Sequence, residues 1–346
     1  MTRSHRFPLI FPGLFGVLVM AVVLAASVGA AAIAPGEVLR VIASRIPWLG
    51  QQVDLSTVSA AHESILLHIR LPRILLAFLV GGSLSVAGAA MQGMLKNPMA
   101  DPFIMGTSSG AALGAALAIV LRLNQSVLGF GAVSVAAFAG ALLATGVVYR
   151  LARVGGRVPV TALLLAGIAT GQFFTAILSF LMVIASRDVN SIVYWTLGSL
   201  SSRGWQHVAL VVLPAFLGTA ILMLYSRDLN LLLLGEDTAS NTGVAVERVK
   251  RVLLITSTMM TAFMVSVSGI IGFVGLIIPH ATRFFTGPDH RFLLPASGLV
   301  GGIFLIAADT LARTVIAPTE LPVGILTALA GAPFFIYLLR QSRKIS

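Results

Sequence analysis

Few side chains in this chain of 346 residues could do chemistry. The six histidines stand at positions 5, 62, 68, 207, 280 and 290, with no His-x-x-x-His pair and no carboxylate at metal-ligand spacing. His280 therefore reads as a packed or capping residue rather than a ligand. Cysteine is absent, so there is neither a thiol nucleophile nor a disulfide framework. Lys96, Lys250 and Lys344 do not follow the glycine spacing of a phosphate-binding loop, so the chain is not expected to hydrolyse ATP itself. No nucleophile–base constellation supports an enzyme, and no cofactor is expected. Asp309 is the one acid well inside an apolar run. Arg313 follows it by one helical turn, and the two read as a structural ion pair rather than a proton relay.

The elements that must carry these groups are membrane helices. Apolar residues make up 57% of the chain and charged residues 10%, against about 45–50% and about 25% in soluble domains. Gly13–Ala34 and Ile74–Leu95 each run 22 residues without a charge, and about 20 residues suffice to cross the hydrocarbon. A soluble enzyme is excluded. Ten spans fit, at roughly 10–33, 68–93, 103–121, 127–149, 160–185, 206–225, 252–272, 273–286, 292–312 and 323–340. The first is too long for a signal-peptide core and reads as an uncleaved helix. The net charge of +11 is spread between the spans rather than gathered on one face, which argues for lipid and against nucleic acid. Fifteen of the 23 basic residues fall on the side that holds both termini, and this makes that side cytoplasmic.

Two stretches depart from plain spans. Phe273–Thr286 is short and contains Pro279, and Asn190–Ser202 is semi-apolar but too short to cross. The second fits either a path-lining segment or an interfacial helix with Tyr194 and Trp195 in the aromatic belt. The longest cytoplasmic connection, 226–251, sets Leu231–Leu234 beside Gly235-Glu236-Asp237. That pattern fits a docking surface for another protein as well as it fits a surface loop with an interfacial helix.

Several strings resemble the permease subunits of type II ABC importers for iron chelates and cobalamin. They are Ile69-Arg70-Leu71-Pro72-Arg73, Gly81-Gly82-Ser83-Leu84, Asn97-Pro98-Met99-Ala100-Asp101-Pro102, Leu163-Leu164-Leu165-Ala166-Gly167, Gly272-Phe273-Val274-Gly275-Leu276-Ile277-Ile278-Pro279-His280, Leu321-Pro322-Val323-Gly324 and Gly331-Ala332-Pro333-Phe334. They run in order from about residue 65 to the C-terminus. The resemblance implies an all-α, ten-helix subunit, residues 1–346 as a single permease domain, in the cytoplasmic membrane of a bacterium or archaeon. It also implies a homodimer served by two cytoplasmic ATP-binding subunits and an extracytoplasmic substrate-binding protein. Arg70, Arg73 and Arg313 match positions that receive acidic residues of the binding protein. Val160 and Thr161 match the cytoplasmic gate, and Gly235, Glu236 and Gly243 match the segment that couples to the ATPase. The cargo it implies is a ferric siderophore, haem or a corrinoid. A secondary transporter or channel that works without partners is the competing class.

Overall fold

The computed structural model describes residues 7–48, 50–123, 126–127 and 130–342. Arg3, Arg6, Arg343 and Lys344, which contribute to the charge asymmetry, lie outside them. In chain order the helices are α1 (Phe7–Ser27), α2 (Pro35–Ser44), α3 (Ala60–Ile65), α4 (Leu71–Met94), α5 (Thr107–Val120), α6 (Ala132–Ala152), α7 (Val160–Ile184), α8 (Val189–Thr196), α9 (Trp205–Leu224), α10 (Ser226–Leu233), α11 (Glu236–Asn241), α12 (Val246–Ser268), α13 (Val274–Thr286), α14 (His290–Ala312) and α15 (Val323–Ser342). A two-residue hairpin, Ser126–Val127 against Phe130–Gly131, precedes α6.

Among the described residues, seven helices are long and apolar enough to cross a membrane, and α5 and α15 are shorter apolar ones. With the 13-residue α13, these occupy the places of the ten expected spans. The protein is a multi-pass membrane protein. The expected span at 68–93 belongs to a longer helical stretch of 35 residues, Ala60–Met94. Its 66–70 segment is a π turn, with the Leu71 N–H donating to the Leu66 carbonyl. Pro72 follows directly and has no N–H to give to the turn before it, which accounts for a wider turn at this point. Asn190–Ser202 contains the short helix α8 followed by a turn, and Tyr194 is exposed. The stretch 226–251 holds α10, α11 and the start of α12.

The spine of the subunit is α4. Of its most apolar stretch 89% is buried, against 22% for α7 and 17% for α1. A helix with apolar residues all round must be covered by protein or lipid, and α4 is covered by protein. It runs antiparallel to α14, and the contact is made backbone to backbone. A Cβ placed on Gly81 would lie 2.3 Å from the Gly301 carbonyl oxygen, and one on Gly82 would lie 3.0 Å from that of Gly298. Two turns further along α4, a Cβ at Gly88 would sit 1.9 Å from the carbonyl oxygen of Gly275 in α13. Interior glycines cost a helix about 1 kcal/mol each against alanine. Here they permit the close approach on which membrane helix packing depends.

Gly88→Val should therefore destabilise the subunit by at least about 2 kcal/mol through overpacking. Gly13 has nothing within 4 Å of the place an added methyl would take, and it should accept alanine with a change under about 1 kcal/mol. Thermal unfolding of the detergent-solubilised protein measures both; equal midpoints would contradict this packing.

Candidate functional site

The antiparallel contact of α4 with α14 places one charged cluster at each end of the pair. At the first end, Arg73 projects from the start of α4 toward the last turn of α14. Its Nε donates to both Asp309 oxygens (2.9 and 3.1 Å) and its Nη2 to Asp309 Oδ1 (2.9 Å). Its Nη1 donates to both oxygens of Glu320 (2.9 and 3.0 Å), on the connection between α14 and α15. The side chains of Arg73 and Asp309 are 8% and 3% exposed, and that of Glu320 is 37% exposed.

This corrects the sequence expectation for Asp309. Its ion-pair partner is Arg73, 236 positions away, rather than Arg313 one turn on. The antiparallel contact delivers the guanidinium of Arg73 to the carboxylate, whereas Arg313 caps α14 and turns toward α1. Its Nη2 donates to the carbonyl of Ala25 and to Thr310 Oγ1, while its Nε has no partner. Arg70 is also buried, and it donates to the carbonyls of Ala26, Ser27 and Ala31 where α1 ends. The Ala26 and Ser27 carbonyls belong to the C-terminal turn of α1, whose acceptors favour a cation.

The structure thus brings Arg70, Arg73 and Arg313 together around a cavity of about 260 Å³, with Glu320 and the Gly29–Ala31 turn also lining it. Three guanidinium groups face two carboxylates, so the cavity keeps an excess positive charge. Burial opposes ionisation of Glu320, yet the charge and hydrogen bond of Arg73 outweigh it and hold the carboxyl below its ordinary range. A depressed carboxyl stabilises the fold above its unfolded-state pKa. That contribution is lost as the pH falls through the depressed value. Nothing in the sequence points to Glu320, because no local pattern links a loop acid to an arginine so distant along the chain.

At the opposite end, α11 is flanked by Gly235 (φ +129°) and Gly243 (φ +90°), backbone conformations suited to glycine. Glu236 opens α11, and its carboxylate accepts from Lys250 Nζ of α12 at 3.1 Å. Lys250 also donates to Glu247 at 3.1 Å, and Glu247 Oε2 accepts the Val158 N–H at 3.2 Å. Val158 precedes Pro159, the residue that caps α7, whose first two residues are Val160 and Thr161. Val160 is half-buried and Thr161 exposed. The gate and coupling candidates therefore lie at one end of the subunit, and the arginine cluster lies at the other. The i, i+3 spacing of Glu247 and Lys250 is the one signal in the sequence that could have found this pair. Nearby, Asn230 of α10 donates to Asp289 (2.7 Å) and accepts from the His290 N–H (2.9 Å), which fastens α10 to the start of α14. His280 packs edge-on against Phe284, at a ring separation of 5.4 Å. Among the described residues no group of three or more His, Asp or Glu is placed to hold a metal ion.

Asp309→Asn should cost about 3 kcal/mol, since it leaves the buried Arg73 with half its compensation. Glu320→Gln should cost under about 1 kcal/mol because that carboxylate is wetted. Denaturant or thermal unfolding compares the two; equal losses would contradict the assignment of Asp309 as the principal partner.

The family model of the FecCD transport family matches residues 17–341. The cobalamin import system permease protein BtuC of Halobacterium salinarum is 47% identical, over 92% of this chain and 86% of that protein. The hemin transport system permease protein HmuU of Yersinia pestis is 43% identical, over 81% of this chain and 84% of that protein. A solved structure described as an inward-facing conformation of a metal-chelate type ABC transporter superposes with a TM-score of 0.82 at 31% identity. It covers 97% of this chain and 100% of that one. A membrane subunit with these helices in this order, matched over nearly its whole length, belongs to the FecCD transport family.

Proposed function

We propose that this permease forms, as a homodimer, the path of an ATP-driven, binding-protein-dependent importer of a metal chelate. ATP hydrolysis falls to a separate pair of cytoplasmic subunits. The observation that carries the reading is the excess positive charge in the cavity of Arg70, Arg73 and Arg313. An acidic side chain of a docking protein would complete it, and guanidinium groups suit carboxylates because their fork binds both oxygens. Burial refines the role of each arginine. Arg73 is occupied by Asp309 and Glu320, and Arg70 by backbone carbonyls. Arg313 lines the cavity and pairs with no carboxylate among the described residues, so it is the group best placed to receive a new one. The cavity end is the extracytoplasmic side in this reading. The end with α11 and the start of α7 is cytoplasmic, and so are both termini.

Two readings of residues go with it. Gly235, Glu236 and Gly243 bracket a short helix that carries force from the ATPase. Val160 and Thr161, at the mouth of α7, close the path against their copies across the dimer axis. The exposed apolar side chains of α7, Leu165, Ile168, Phe173 and Phe180 among them, need lipid or a second subunit to cover them. Cobalamin and haem, named for the relatives, set the chemical class of cargo: a bulky chelate bound first by the partner protein.

Arg313→Gln should weaken capture of the binding protein about tenfold at low salt, with a smaller loss at high salt as screening erodes the charge term. Capture by the permease–ATPase complex, followed by surface plasmon resonance at two ionic strengths, measures this. Unchanged capture at low salt would defeat the docking role. Thr161→Cys, in a chain without natural cysteine, should crosslink between subunits in the resting complex. No crosslink in any nucleotide state would place the gate elsewhere.

A further inference from the structure

The end of the protein that carries α11 holds a connection between that helix and the start of α7 that the reading above does not use. The six residues of α11 lie between two glycines whose backbone angles most side chains avoid, so the element can pivot at both ends. Apart from the buried methyl of Ala239, its charged anchor to the body of the protein is Glu236 on Lys250. The Lys250 side chain is only 9% exposed, and it is shared between Glu236 at 3.1 Å and Glu247 at 3.1 Å. The second oxygen of Glu247 holds the Val158 N–H at 3.2 Å, two residues before Val160. A narrow cleft adjoins this chain of contacts, lined by Lys250, Glu247, Tyr149 and Val160.

We propose that Lys250 is a positioning residue that transmits displacement of α11 to the start of α7 through Glu247 and the Val158 N–H. The proposal rests on the importer reading. A buried ammonium is strongly disfavoured when left unpaired, because its desolvation is then uncompensated. When a partner moves Glu236, Lys250 either follows it or turns its ammonium wholly onto Glu247. Both responses alter the pull on Glu247, and Glu247 is tied to the backbone that leads into α7. Glu236 and Glu247 thus act as alternative partners of one cation, which gives the connection two discrete arrangements instead of a continuous bend.

The test uses the full complex of permease dimer, ATPase subunits and binding protein, with Thr161→Cys as reporter. Crosslink yield at 161 is compared with and without ATP and vanadate, alongside the ATPase rate. In Lys250→Met the nucleotide-dependent change in crosslink yield should fall about tenfold, the scale of a typical coupling free energy. Lys250→Arg should recover most of it, because the charge and both partners remain. A Lys250→Met complex that crosslinks with the wild-type nucleotide dependence overturns the relay. Where Lys250→Met fails to assemble, Glu247→Ala decides through the same readout. It releases Val158 but leaves Lys250 paired with Glu236, and a wild-type nucleotide response in it overturns the relay equally. A wild-type permease that binds no ATPase subunits overturns the importer reading and the relay with it. A wild-type complex that responds normally, matched by both variants, overturns the relay alone.

Discussion

The arrangement depends on one constraint: α4 is enclosed by protein, yet it begins with an arginine. Enclosure requires neighbours to approach its backbone, and Gly81, Gly82 and Gly88 make that approach possible against α14 and α13. The arginine requires an anion at the same depth, and the antiparallel α14 supplies Asp309 there. One helix pair thus sets the spacing between the two ends of the subunit. Moving α14 along α4 by one turn would break the glycine contacts and strip Arg73 of its partner together. Burying an ion pair does not by itself stabilise a protein, since desolvation offsets much of the attraction. The pair is better understood as a register mark: it is satisfied in one alignment of α4 and α14 and costly in any other.

The two ends use charge differently. Around Arg73 the cations outnumber the acids, and the cavity between them is left open. Around Lys250 the acids outnumber the cation, and they are drawn inward onto it. The first pattern suits recognition of a carboxylate from outside the chain. The second suits an element that has to be held and then displaced. Between them stand helices whose exposed faces are mainly apolar, Leu165, Ile168, Phe173 and Phe180 of α7 among them, as a membrane environment requires. Most of the chemistry is therefore at the ends, where the sequence has its few charges.

Legibility in the sequence follows range along the chain. The span positions follow from charge-free runs such as Ile74–Leu95, because a bilayer demands length and apolarity locally. The packing role of Gly81, Gly82 and Gly301 is readable from small residues inside spans. The shorter elements are harder. Nothing in composition announces the π turn at 66–70 or the break of 226–251 into α10 and α11, which arise from backbone geometry and tertiary contact. The partner of Asp309 is misassigned by local reasoning for the same cause: the near candidate, Arg313, shares its helix, while Arg73 arrives through the fold. Glu320 carries no motif, and Lys250 shows only its i, i+3 spacing to Glu247; its pairing with Glu236 comes from neighbours in space.

The proposed importer would draw energy from ATP and receive its cargo from a binding protein. The most direct measurement is uptake into vesicles holding the permease, with ATPase subunits inside and binding protein outside, using haem, a ferric hydroxamate and cobalamin as probes. The account predicts that at least one chelate accumulates, and that omitting either ATP or the binding protein abolishes its uptake. Accumulation driven by a proton or sodium gradient, with both partners left out, would contradict it.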